Sequence, residues 1–149
     1  MNNGEAYALY EACDALAKMT RSFVCKRKAV KNKGILKKAV EEVNGMRKES
    51  DTLRAYLKKR NAIIRKYGEE EGNNIVIMPS NKEGMNALKD LYNENSEAVK
   101  EYEEYNNGIS KFLEETASVN ESDLLMFSPE NLDIDAREIP EVFIEKLCK

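Results

Sequence analysis

From Arg21 to Tyr67 the chain has no proline, and Leu36, Val40, Val43, Met46, Leu53, Leu57 and Ile64 recur, with Ser50 in register, at helical steps of three and four. A second stripe is more regular: Met85, Leu88, Tyr92, Asn95, Val99, Tyr102, Asn106, Ile109 and Leu113 alternate such steps in the manner of a coiled-coil seam. A stripe of this kind is stable only when it is covered. Two of them, joined by about a dozen residues, therefore predict an antiparallel helical hairpin. Asn44-Gly45 leaves a break open in the first helix, because Asn-Gly favours turns and an interior glycine costs about 1 kcal/mol. Asn106 to Gly108 poses the same question for the second.

The connector carries its own signals. Gly68, after Arg65, Lys66 and Tyr67, reads as a helix stop in the left-handed conformation, and Ser80 or Asn81 as the next N-cap, with Glu83 completing a capping box if Ser80 is the cap. Between them, residues 72–81 carry no charge, and Ile75, Val76, Ile77 and Met78 have strand character. A strand must pair its backbone groups. These four residues are a candidate strand-pairing interface, their partner being "TASV" or "DLLMF" of the same chain if the second helix ends early, and otherwise a second chain by strand addition.

Residues 4–18 place Leu9, Cys13 and Leu16 at helical spacing, and "IPEVFIEKL" reads as a terminal helical turn or two with Pro140 at its first position. The expected fold is thus mainly α: a long antiparallel helical hairpin with a short N-terminal helix, one or two short strands and an irregular acidic C-terminal segment. At 149 residues it is expected to be a single elongated domain. Its parts are a short helix (1–20), a basic long helix (21–68), a connector with a short strand (69–80), an acidic long helix (81–115) and an acidic C-terminal segment (116–149).

Net charge is only −3, yet residues 1–67 carry +10 and residues 68–149 carry −13. Either the basic half meets an anionic partner or the two halves neutralise each other. A hairpin sets the basic helix beside the acidic one, which favours internal neutralisation at about 0.2 to 1 kcal/mol for each exposed pair. Asn95 and Asn106 in the seam would then fix register. Cys13, Cys25 and Cys148 form neither a disulfide framework nor a paired zinc motif. No segment approaches the ~20 apolar residues of a membrane span, and a soluble, cytoplasmic protein without a membrane partner is expected.

The absence of histidine removes the commonest general base, the commonest metal ligand and any Ser-His or Cys-His pair. Phosphate-loop, dinucleotide and calcium-loop patterns are missing too. No catalytic residue, metal site or cofactor is expected, and the adjacent acids Glu103-Glu104 and Glu114-Glu115 read as solvated surface. The strongest candidate binding surface is Lys26, Arg27, Lys28, Lys31, Lys33, Lys37 and Lys38, a run fit for a phosphate backbone or an acidic protein. No aromatic-rich loop accompanies it to stack bases. Tyr56, Tyr67, Tyr92, Tyr102 and Tyr105 read as seam packing, and Cys25 as a structural thiol.

The order of "KRKAVKNKGILKKAVEEV", "RNAIIRKYGEEEG", a brief apolar strand, a second long helix and an acidic tail resembles small uncharacterised helical-hairpin proteins encoded by phages and prophages. The motifs that carry the resemblance are the Lys-Tyr-Gly-Glu stop at Lys66 to Glu69 and the acidic, aliphatic C-terminal segment. The resemblance implies a phage-like origin and a helical hairpin, and brings no catalytic residue. The expected function is a non-enzymatic structural, assembly or accessory protein acting by protein–protein contacts, with copies of itself as a homo-oligomer or with a phage or host protein. Two alternatives remain: an inhibitor of host defence that binds a host protein or a small anionic signal, and a nucleic-acid-binding module using the basic helix.

Overall fold

The structure, a computed structural model, describes residues 1–134 and 138–148; residues 135–137 and 149 of the expected acidic C-terminal segment lie outside the described residues. It is predominantly helical, as the stripes require. The helices are α1 (Asn3–Met19), α2 (Phe23–Met46), α3 (Asp51–Tyr67), α4 (Lys82–Glu94), α5 (Ser96–Glu114) and α6 (Glu141–Leu147), and β1 (Glu69–Glu71) and β2 (Asn74–Val76) form a two-stranded sheet. The chain divides into two compact units, one made of Met1–Arg47 with Ile109–Lys149 and the other of Lys48–Gly108.

The first unit is built on an antiparallel pair, α1 against α2. Asn2 starts α1 with a capping box: its side chain accepts from the Glu5 N–H, and the Glu5 carboxylate accepts from the Asn2 N–H. The pair runs antiparallel across the short connection from Thr20 to Ser22: Arg47, just past the end of α2, lies over the ring of Tyr7 near the start of α1 at 4.7 Å, while Lys33 meets Asp14. Ala6, Leu9, Cys13 and Leu16 are buried with Cys25, Ala29, Leu36 and Ala39, as the periodicity of both helices predicts. Small residues at Ala6, Ala29 and Ala39 let the helices approach closely.

The C-terminal residues complete this core. Ala117, Leu124, Phe127, Phe143 and Leu147 join the same cluster. Their backbone is tied in at three points. Asn3 N–H donates to the Glu115 carbonyl and Ala117 N–H to that of Met1, around an Asn2–Thr116 bridge. Phe127 N–H donates to the Leu147 carbonyl at 2.7 Å, beside a Phe127–Cys148 bridge. Asn32, fully buried on α2, accepts from the Leu125 N–H at 2.7 Å and donates to the Leu125 carbonyl at 2.9 Å, so one side chain satisfies a whole peptide unit. "TASV" and "DLLMF" thus contribute Thr116 and Phe127 to isolated bridges within this unit and are not the partners of Ile75 to Met78. Pro140 occupies the N-cap of α6, one position earlier than expected.

In the second unit α3 and α4 pair in antiparallel fashion through the β-hairpin. The helix expected over 21–67 is interrupted after Met46, and the reason is Ser50: its hydroxyl accepts from the Leu53 N–H and caps α3, a role inconsistent with a place in a continuous stripe. Gly45 itself stays helical. In the hairpin, Glu69 faces Val76 and Glu71 faces Asn74 across a two-residue turn, where Gly72 takes a φ of 61°. No described non-glycine residue has positive φ, which fits a turn with glycine at its first central position.

Gly68 ends α3 in extended backbone, φ −80°, and not in the left-handed conformation expected. Glycine is needed there for another reason. A Cβ on Gly68 would collide with the Ile64 carbonyl oxygen and with Cγ2 of Ile75, and one on Gly84 would come within 2.7 Å of Tyr67 Cβ and 2.9 Å of Ile77 Cγ2. Asn81 caps α4 through the Gly84 N–H and also donates to the Tyr67 carbonyl, joining the end of α3 to the start of α4.

The inward stripe of α4 and α5 in this unit is buried at Gly84, Leu91 and Ala98 and half-buried at Leu88, Asn95, Tyr102 and Tyr105, with Val99 buried beside it. This corrects the predicted register by one residue at alternate positions, and Met85 and Tyr92 stay 43% and 50% exposed. Close approach at Gly84 turns the helix toward its small residues. Asn95 interrupts the seam, capping α4 with its amide on the Leu91 carbonyl, whereas Asn106 is exposed and α5 continues through Gly108. Tyr56 and Tyr102 pack with ring centroids 6.4 Å apart.

Gly84→Ala is expected to lower stability by about 1–3 kcal/mol through overpacking, and Gly34→Ala, where a Cβ meets nothing within 4 Å, to raise it by about 0.5–1 kcal/mol. Asn32→Ala, which strands both polar groups of Leu125, should cost about 2–4 kcal/mol. Urea unfolding followed by circular dichroism measures all three.

Candidate functional site

The seven cations of the basic cluster all lie on α2 but do not act as one group. Helical geometry sets Arg27, Lys31 and Lys38 on one ridge and Lys26, Lys33 and Lys37 on another, with Lys28 near the core. Three are engaged. Lys28 donates to the Met126 carbonyl at 2.9 Å and lies 5.9 Å from the Phe127 ring centroid; Lys33 bonds Asp14 at 2.5 Å and lies over Tyr10; Lys37 is 3.7 Å from Glu41. Lys26, Arg27, Lys31 and Lys38 are exposed and form no ion pair with any described residue.

Apolar side chains accompany these free cations. Phe23 is 77% exposed, Val24 62% and Val30 53%. Phe23, Val24, Arg27, Lys28, Lys31 and Leu125 line a shallow depression along the first turns of α2. From Phe23 the ridge passes through Arg27, Val30 and Lys31 to Gly34, whose outer side is open. The result is a mixed apolar and cationic strip.

The acids that could neutralise this strip are held elsewhere. Glu121 pairs with the N-terminal ammonium of Met1 and stands 3.8 Å from Lys146, and that ammonium holds its carboxyl below the usual range. Asp133 accepts from the Thr20 hydroxyl at 2.6 Å and the Arg21 N–H at 2.8 Å, which lowers its pKa in that order of effect. Asp14 is lowered by hydrogen bonds from Lys18 and Lys33. Among the described residues, no ion pair joins α3 to α4 or α5; the pairs that form are within α1, α2 or α3, between α1 and α2, or on Glu121, and none sets the basic stretch against the acidic long helix.

Ile75 to Met78 are the second candidate surface; Ile75 and Val76 belong to β2, which pairs with Glu69–Glu71 of the same connector and not with either expected partner, while Ile77 and Met78 lie beyond the strand. Ile75, Val76 and Met78 remain 44%, 37% and 41% exposed. Arg60 and Ile64 of α3 and Met85 and Leu88 of α4 line an open groove of about 530 Å³ alongside β2. Of the tyrosines, Tyr56, Tyr102 and Tyr105 pack into the second unit's core, and Tyr92 does not.

Neither Cys13 nor Cys148 is an activated nucleophile. Burial pushes the Cys13 thiol up to about 12, only partly offset by Asn32 and Lys33, and burial also raises Cys148. Cys25 is buried. Among the described residues no group of three or more His, Cys, Asp or Glu side chains is placed to hold a metal ion, and no helix is long and apolar enough to cross a membrane. Comparison with protein-family models, curated proteins and solved structures finds no match to this chain.

Sequence reasoning missed Asn32, whose polar type amid lysines gave no sign of burial. It also missed Phe23, Val24 and Val30 as exposed apolar neighbours of the cations. For these the signal was present: each falls three or four residues from Arg27, on the side of α2 away from Leu36 and Val43.

A pH dependence follows. Asp14, Glu121 and Asp133 have folded pKa values below their ordinary 3.8 to 4.5, so their contribution is present above that range and lost as pH falls through the depressed values. Cys13 is raised from 9.0 to about 12, so its contribution is full below pH 9 and lost as pH rises toward 12. The urea midpoint should be nearly flat between about pH 5 and 9 and fall on both sides.

Proposed function

We propose that this protein is a non-enzymatic assembly or accessory protein of phage type that works through protein–protein contacts, and that its α2 strip binds an acidic protein surface. The observation that carries the reading is the coincidence of Phe23, Val24 and Val30, all more than half exposed, with Arg27 and Lys31, which no described acid neutralises. Contiguous exposed apolar side chains mark interaction surfaces, and interfaces are enriched in aromatic residues and arginine. A partner with carboxylates around an apolar patch would match both features. The same surface would serve an inhibitor of a host protein, since it requires no catalytic group.

Nucleic acid is the second reading, favoured by the four free cations Lys26, Arg27, Lys31 and Lys38, spread over about 18 Å of helix. The aliphatic content of the strip weighs against it, because phosphate contacts gain nothing from valine.

The discriminating experiment compares the wild type with the triple variant Phe23→Ser, Arg27→Glu, Lys31→Glu. Affinity purification from expressing cells, read by mass spectrometry, should recover one protein in stoichiometric amount with the wild type, and binding to that purified protein should weaken about 100-fold or more in the variant. Unfolding curves should coincide, since all three side chains are exposed. Recovery of nucleic acid that is lost steeply between low and moderate salt would replace the protein reading with the second one.

A further inference from the structure

We propose that β2 is a self-association edge, through which two copies of the chain join their hairpins into one four-stranded antiparallel sheet. This rests on the reading of the protein as one that acts through its surfaces, and names one partner as a second copy. Glu71 and Asn74 flank the two-residue turn, so they form a hydrogen-bonded pair, as do Glu69 and Val76, and Ile75 stands in the non-hydrogen-bonded pair with Glu70. The N–H and C=O of Ile75 and Glu70 therefore point away from the hairpin. Neither residue has a hydrogen bond to another described residue on that side.

The two outer edges differ sharply in chemistry. β1 is Glu-Glu-Glu, every residue exposed, and a strand laid against it would meet three carboxylates. Charge on an edge is a device that prevents pairing. β2 carries no such guard on the strand itself: residues 72–81 are uncharged, Ile75, Val76 and Met78 are exposed, and the groove beside the strand is lined by Ile64, Met85 and Leu88, with Arg60 of α3 as its one charged side chain. A strand without charge of its own and a largely apolar groove next to it fit an apolar, uncharged strand. β2 is itself such a strand.

Antiparallel pairing about a twofold axis at Val76 sets Val76 opposite Val76 and Ile75 of each copy opposite Ile77 of the other. The outward backbone groups of Ile75 then meet those of Ile77, and β-branched side chains face one another across the new ladder, a favoured combination. The alternative register centred on Ile75 would set Val76 opposite Asn74, and loses that match. Pro79 limits the strand at its far end. The interface is isologous and closes at two copies, since pairing uses the free β2 edge of each and leaves only guarded β1 edges outside.

Sedimentation velocity over a concentration series should show a monomer–dimer equilibrium in the wild type. Ile75→Pro removes the outward N–H and should shift it to monomer, while Glu70→Pro, at the matching position of the other edge, should leave it unchanged. Because Ile75→Pro also disturbs packing beside Gly68, hydrogen exchange of the wild type supplies an independent reading: the Ile75 amide should gain protection as concentration rises, and the Glu70 amide should not. A strict monomer at millimolar concentration, or a dimer in which the Ile75 amide stays unprotected, overturns the proposal. Either result leaves the α2 strip untouched, because the triple variant of that strip tests it separately.

Discussion

A single buried amide governs the first unit. Asn32 lies in the most basic stretch of the chain, yet it is completely enclosed and holds both polar groups of the Leu125 peptide. A peptide unit carried into an apolar core without partners costs several kcal/mol. With them, the irregular segment around Leu124 to Phe127 can seat its apolar side chains on α1 and α2. The core that includes Phe127, Phe143 and Leu147 depends on that seat. So does the outer face of α2: once Asn32, Leu36 and Val43 point inward, helical geometry turns Phe23, Arg27 and Lys31 outward.

In the second unit the governing constraint is steric. Gly68 and Gly84 remove the two side chains that would hold the hairpin away from α3 and α4, letting Ile75 and Ile77 rest directly on backbone. This explains how a two-stranded sheet, marginal by itself, is supported. It also explains why the strand keeps its apolar side chains half exposed. They pack on helix ends, which cover them from one side only.

The helices were legible because apolar period is a strong signal; Asn81 caps as its chemistry predicts, whereas Gly68 ends α3 at the expected position but for a steric reason and not through a left-handed conformation. The seam register was not. The stripes through Met85, Tyr92 and Val99 and through Gly84, Leu91 and Ala98 share Leu88, Asn95 and Tyr102, and the choice falls on glycine and alanine, which carry little hydrophobic signal while permitting the closest approach. The break left open at Asn44-Gly45 falls beside the end of α2 at Met46, but the restart at Ser50 was hidden for a related reason: a serine in register with leucines reads as a tolerated polar site, and only its hydroxyl on the Leu53 N–H makes it a cap. The basic cluster was visible as a count of charges, but which lysines are spent on Asp14, Glu41 and the Met126 carbonyl depends on contacts up to 98 residues apart in sequence. No local pattern encodes those.

The second unit is a continuous segment, Lys48–Gly108, inserted between the two parts of the first. Bridges such as Asn3 to Glu115 therefore span the whole insertion. While that segment is unfolded it is a flexible loop, and each doubling of such a loop adds about 0.6 kcal/mol to the entropy of closing it. Once folded, it sets the Ser50 hydroxyl on the Glu101 carboxylate and so returns the chain close to where it left. Every contact between the two parts of the first unit therefore counts the whole insertion in its sequence separation, which raises the contact order of that unit.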